Sequence, residues 1–141
     1  MRRTLPLIAL TLMLTANKCK EDRPSMQDMM DKKWLFQTVG TETVRMPAGV
    51  DQPWIQLTND GVNGFGGCNR LMGGYALGGP KLSFPGVAAT RMYCEAVQKT
   101  ENAITTALSR TDSYRLEDGT LTLLGAGEVV ATLVPDATPA P

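Results

Sequence analysis

Frequent chain breakers set the first limit on this sequence, which carries 14 Gly and 9 Pro in 141 residues. Such punctuation favours short strands joined by turns over a helical bundle. Between the breaks the segments are β-favouring: Trp34 to Val39, Trp54 to Thr58, Val62 to Phe65, Arg70 to Leu77, Lys81 to Phe84 and Val87 to Arg91. Later come Ser113 to Glu117, Thr120 to Leu124 and Glu128 to Val134. Asn59-Asp60-Gly61 and Asp118-Gly119 mark tight hairpins, because Asp-Gly accepts positive φ at low cost. One convincing helix spans about Glu95 to Arg110, where Val97, Ile104 and Leu108, with Ala96, Ala103 and Ala107, form a stripe near the 3.6-residue period. Strands followed by a single late helix do not make a β-α-β repeat. The expected fold is mainly β (α+β): a curled antiparallel sheet or partly open barrel with one helix packed against it.

The amino terminus reads as an address. Arg2 and Arg3 precede the apolar run Leu5 to Leu14, and small or polar residues follow at Thr15, Ala16 and Asn17, the layout of a secretory signal peptide over residues 1–18. The run is too short for a membrane span, which needs about 20 residues. Cys19 stands where a bacterial lipoprotein carries its lipid, although Ala16-Asn17-Lys18 departs from a lipobox; ordinary cleavage after Ala16 is the alternative. Loss of residues 1–18 removes Arg2, Arg3 and Lys18 and leaves 11 basic against 14 acidic side chains, a net charge of −3. That mildly acidic, mixed surface lacks the basic stripe of a nucleic-acid binder, so no nucleic-acid partner is expected. Membrane contact is expected only through a lipid at Cys19. Residues 19–30 form a polar tether that includes the start of one or two helical turns near Ser25, with Met26, Met29 and Met30 as a small packing face; residues 136–141 form a disordered tail.

The chain has no His. This removes Ser-His-Asp and Cys-His nucleophile systems and His-ligated zinc. Gly64, Gly66 and Gly67 do not complete a phosphate-binding G-x-G-x-x-G pattern, and no helix pattern follows them. Cys19, Cys68 and Cys94 lack C-x-x-C spacing. No catalytic residue, metal site or cofactor is therefore expected. In an exported chain Cys68 and Cys94 are disulfide candidates, worth roughly 3.5 kcal/mol on the chain-entropy account. Two free, adjacent buried thiols are the alternative. A nucleophilic Cys68 or Cys94 beside Arg91 is a third reading, but it has no base to activate it. Arg70 and Arg91 read as solvated side chains or partners of nearby carboxylates. If either points into a cleft it becomes the natural contact for an anion or carbonyl.

Two segments carry a family resemblance: Gly64-Phe65-Gly66-Gly67-Cys68-Asn69-Arg70, running on to Gly73, Gly74 and Tyr75, and Thr90-Arg91-Met92-Tyr93-Cys94. With Trp34-Leu35 before them, and Glu101-x-x-Ile104-x-x-x-Leu108 and Leu121-Thr122-Leu123 after, the chain resembles the META domain, or HslJ-like, family over roughly residues 30–135. The resemblance implies a β-rich fold with one helix in envelope-associated or lipid-anchored bacterial proteins. Members have been linked to heat-shock expression, tolerance of the antibiotic novobiocin and, in parasites, secretion and motility. The implied fold is similar to that of secretin pilot lipoproteins, which bind peptide or lipid. No enzymatic activity defines the family, and the shared positions, here Gly67, Cys68, Asn69, Arg70, Thr90, Arg91 and Cys94, have no established catalytic role. The functional expectation is a non-enzymatic domain of the periplasm or outer membrane. It would bind an envelope protein, peptide or apolar ligand, or act structurally in envelope stress or antibiotic tolerance. A small cysteine-dependent enzyme, or a lipid or peptide binder like the secretin pilots, is the alternative.

Overall fold

The computed structural model describes residues 25–138. The expected signal peptide, the Cys19 lipid site and the last residues of the expected tail lie outside them. Eleven strands form one antiparallel sheet, with a short helix at its entrance and a longer one late in the chain. The strands are β1 (Lys33–Val39), β2 (Glu42–Thr43), β3 (Trp54–Thr58), β4 (Gly61–Phe65), β5 (Arg70–Gly73), β6 (Ala76–Gly78), β7 (Lys81–Ser83), β8 (Ala88–Ala89), β9 (Ser113–Glu117), β10 (Thr120–Gly125) and β11 (Glu128–Pro135). The helices are α1 (Met26–Met29) and α2 (Gln98–Arg110). The spatial order is β6-β7-β9-β10-β11-β1-β3-β4-β5-β8, with β2 added to the end of β1. The expected curled sheet with one packed helix is the architecture found.

Alternation drives the curl. In β3, β4 and β10 every second side chain is buried, which places Ile55, Leu57, Val62, Leu121 and Leu123 on one face. Trp34, Phe36, Leu71, Leu82 and Leu133 join them, and Ile104, Ala107 and Leu108 of α2 close the core. Each fully buried Leu or Ile contributes about 1.5–3 kcal/mol relative to exposure. Asp118 and Gly119 both take positive φ at the β9–β10 turn, as that hairpin signal requires. At the other hairpin Gly61 takes φ 138°.

Helix α1 is a single turn whose Ser25 backbone N–H and hydroxyl both bond to the Asp28 carboxylate, at 2.7 and 2.9 Å. Those bonds hold the Asp28 carboxyl below the usual aspartate range. The methionine face is real but divided: Met29 is wholly buried under the Trp34 indole, which donates to its carbonyl, whereas Met26 is exposed.

Three elements differ from the sequence reading by more than one residue at a boundary. Arg70 to Leu77 is two strands, not one: β5 pairs with β4, while β6 pairs with β7 at the opposite end of the sheet. The break falls at Gly74-Tyr75, where the Tyr75 hydroxyl donates to the Thr58 carbonyl at 2.9 Å and pins the crossing chain. Gly73, the last residue of β5, lets the Gly86-Val87 backbone approach closely, since a Cβ there would fall 2.9 Å from Val87 Cα. Val87 to Arg91 shrinks to the two residues of β8: Thr90 N–H still bonds to the Arg70 carbonyl, but at Met92 the Asn69 side chain takes over the pairing. Finally, the helix starts at Gln98 after a turn, since Val97 N–H bonds to the Cys94 carbonyl.

Candidate functional site

The glycine-rich segment and the Thr90–Cys94 segment meet against the first turn of α2. Gly66 N–H bonds to the Asn69 carbonyl at 2.9 Å, closing a turn between β4 and β5. Gly67 takes φ 114°, a conformation that a residue with a Cβ rarely adopts, and this aims the next two amides the same way. Cys68 and Asn69 N–H both donate to Glu101 Oε2, at 3.1 and 2.6 Å. Successive amides converging on one oxygen form a small anion nest, and the chain supplies its own anion. Glu101 is 4% exposed and sits in the first turn of α2, where the positive end of the helix dipole favours a carboxylate. A Cβ on Gly66 would lie 2.8 Å from both Glu101 Cγ and Oε2, so that glycine makes room for the carboxylate.

Asn69 is the hub. Its Nδ2 donates to Glu101 Oε1 and, at 2.9 Å, to the Met92 carbonyl. Its Oδ1 accepts from Met92 N–H at 2.7 Å and from Thr90 Oγ1 at 2.9 Å. Asn69 therefore satisfies both backbone groups of Met92, as a neighbouring strand would. Cys68 and Cys94 are joined as a disulfide across 6.0 Å between Cα atoms, tying the end of the same segment. The disulfide reading holds. Joined sulfurs carry no thiolate, so the cysteine-enzyme alternative loses its nucleophile. Among the described residues no buried side-chain nitrogen or oxygen lacks a partner, and no group of three His, Cys, Asp or Glu side chains comes together to hold a metal.

The pinned Thr90–Met92 segment separates two hollows. One, of about 640 Å³, lies on the outer face of the sheet between Lys33, Asp51, Trp54, Phe65, Arg70 and Met92. The other, of about 610 Å³, runs between β8 and α2 and includes Arg91, Tyr93 and Asn102. Arg70 and Arg91 are both exposed, and neither makes an ion pair among the described residues. Each instead borders a hollow. Met92 and Tyr93 are 60% and 78% exposed on the rigid segment.

Every motif position is thus placed. Gly66, Gly67, Cys68, Asn69, Thr90 and Cys94 build the knot. Gly64 lets β4 approach β3, since a Cβ there would fall 2.6 Å from the Trp54 carbonyl. Glu101, buried at the centre, was visible in the sequence only as part of the family pattern. Its signal is a carboxylate on the apolar stripe between Val97 and Ile104.

The META domain profile matches residues 26–137, which include the whole sheet and both helices. The chain belongs to the META domain family. The META fold recurs in a protein from Burkholderia xenovorans solved by NMR, at 25% identity and a TM-score of 0.63 over 79% of this chain and 86% of that one. A second NMR structure shares the fold at 22% identity and a TM-score of 0.60, covering 77% of this chain and 92% of the other. No curated protein matches the chain significantly. The META family is not a known enzyme family.

Proposed function

We propose that this META domain protein is an exported, non-catalytic binding module of the bacterial envelope. One observation carries the reading. The groups most capable of chemistry, Cys68, Cys94, Asn69 and Glu101, are engaged with one another as scaffold. Beside them that scaffold holds open a cleft lined by arginine, lysine and aromatic side chains. Rigid walls lower the ordering cost of binding. The disulfide supports an oxidising compartment. The basic-then-apolar leader supports export into it, and Cys19 would add a lipid anchor. A part in envelope stress or antibiotic tolerance follows if the bound partner belongs to that process.

The test is affinity capture from an envelope extract followed by native mass spectrometry. A partner or ligand that co-purifies stoichiometrically, and is lost on altering the cleft, supports the reading. A chain that repeatedly emerges alone and empty removes it. The intact mass of the protein from its host reports the cleavage site, any acyl chains and the disulfide together.

A further inference from the structure

The outer-face cleft has a definite chemical order. Register places Leu35 opposite Trp54, Trp54 opposite Phe65 and Phe65 opposite Arg70. These side chains therefore form one row across β1, β3, β4 and β5 on the face turned away from the core. Trp54 and Phe65 are half-buried and Arg70 is exposed. Two interstrand steps, about 10 Å in all, separate Trp54 from Arg70. Lys33 extends from β1 with its Nζ 4.7 Å from the Trp54 ring centre. Asp51, three residues before Trp54 in the sequence, also lines the hollow. Among the described residues neither Arg70, Lys33 nor Asp51 is engaged in an ion pair.

From this order we infer that the cleft binds a flat-ringed organic anion, its ring against Trp54 and Phe65 and its anionic group at Arg70. The inference deepens the binding-module reading and rests on it. Flat rings stack on half-buried aromatic floors. A guanidinium without a carboxylate partner recognises an oxyanion through paired donors. Lys33, on β1 at the opposite side of Trp54 from Arg70, covers the indole only through a weak cation–π contact that a stacking ring can displace. Asp51 on the same lining disfavours a second negative charge, so the favoured ligand carries one anionic group. The opposite hollow between β8 and α2 has no such aromatic floor, because Tyr93 is exposed at its margin.

The experiment titrates the folded, disulfide-bonded domain with 2-naphthoate, 2-naphthylmethanol and acetate, following amide and indole N–H signals by NMR. The Trp34 indole is an internal control, since it is buried and bonded to the Met29 carbonyl. The expected result is saturable movement of the Trp54 indole and of Arg70 and Phe65 amides by naphthoate, with a dissociation constant below about 1 mM. The neutral alcohol should bind at least fivefold more weakly, and acetate should not saturate. Arg70→Gln should weaken naphthoate at least fivefold, whereas Arg91→Gln, in the other hollow, should leave it unchanged. Equal binding of acid and alcohol, indifference to Arg70→Gln, or shifts confined to Gln98 and Asn102 overturn the inference. Naphthoate binding at Trp54 with nothing captured from the envelope removes the physiological partner but leaves the cleft's chemistry standing. A captured protein with no naphthoate binding does the reverse.

Discussion

Replacing Glu101 tests whether the chain holds its own anion as a structural keystone. Three donors converge on this carboxylate: the Cys68 and Asn69 amides and Asn69 Nδ2. Hydrogen bonds to charged groups are worth about 1.5–3 kcal/mol each, and a buried donor left unmet costs about 1–3 kcal/mol. Glu101→Ala leaves all three unmet around a small cavity that water can partly fill, so we expect a loss of about 4 kcal/mol. Glu101→Gln keeps one accepting oxygen but turns its amide nitrogen toward Asn69 Nδ2. Flipping Asn69 does not relieve this, because it would point Nδ2 at Met92 N–H. The glutamine variant should therefore lose about 2 kcal/mol. At about 4 °C per kcal/mol for a domain of this size, the alanine variant should melt about 15 °C lower. The assay is urea and thermal unfolding with the disulfide intact. Asn69→Ala combined with Glu101→Ala should cost at least about 1 kcal/mol less than the sum of the single changes, because they share bonds. A Glu101→Ala loss below about 1 kcal/mol, or strict additivity with Asn69→Ala, would refute the keystone argument.

Further tests use the same scaffold. Gly66→Ala drives a methyl into a carboxylate that hydrogen bonds hold in place, 2.8 Å away, and should cost at least about 2 kcal/mol in chemical unfolding. Reducing the Cys68–Cys94 bridge, or replacing both cysteines with Ser, should cost about 3.5 kcal/mol on the chain-entropy account. Hydrogen exchange should show the opening concentrated at residues 90–97, and an equilibrium midpoint unchanged by reductant would contradict this. Asp112 accepts bonds from Ala126 N–H and Ser113 Oγ, and these hold its carboxyl below the ordinary aspartate value of 3.8. A carboxyl depressed in the folded state stabilises fully above its unfolded value, and the contribution fades as pH falls through the folded one. Asp112→Asn should therefore flatten the acid limb of the stability curve below about pH 4 while changing its slope little at neutral pH.

Local patterns made most of the fold legible. Residues 54–58 and 120–124 alternate in their burial, as strands with one face on the core do, and Asp118-Gly119 turns where a positive φ was required. Ile104 and Leu108 on a 3.6-residue stripe identified the face of α2 that enters the core. What stayed hidden depends on distant partners. Arg70 to Leu77 looks continuous because nothing within it shows that β5 and β6 join opposite ends of the sheet. The decisive bond, from Tyr75 to the Thr58 carbonyl, links residues 17 apart. Glu101 is an acidic residue in a helix until the Cys68 and Asn69 amides, 33 and 32 residues away, close on it. Glu42–Thr43 is too short to announce itself as a strand and exists by folding back on β1.

The pairing of β1 with β11 places the earliest and latest strands of the fold side by side in the middle of the sheet, and Asp136 N–H still bonds to the Lys33 carbonyl beyond it. A polypeptide emerging from one end, whether from a ribosome or a translocation pore, therefore has only two unjoined half-sheets until its final strand arrives. Completion waits on an encounter between residues about a hundred positions apart, the kind of long-range closure that slows folding. The same seam sets the start of β1 beside the end of β11, with Trp34 opposite Pro135, so the chain enters and leaves the sheet at neighbouring positions.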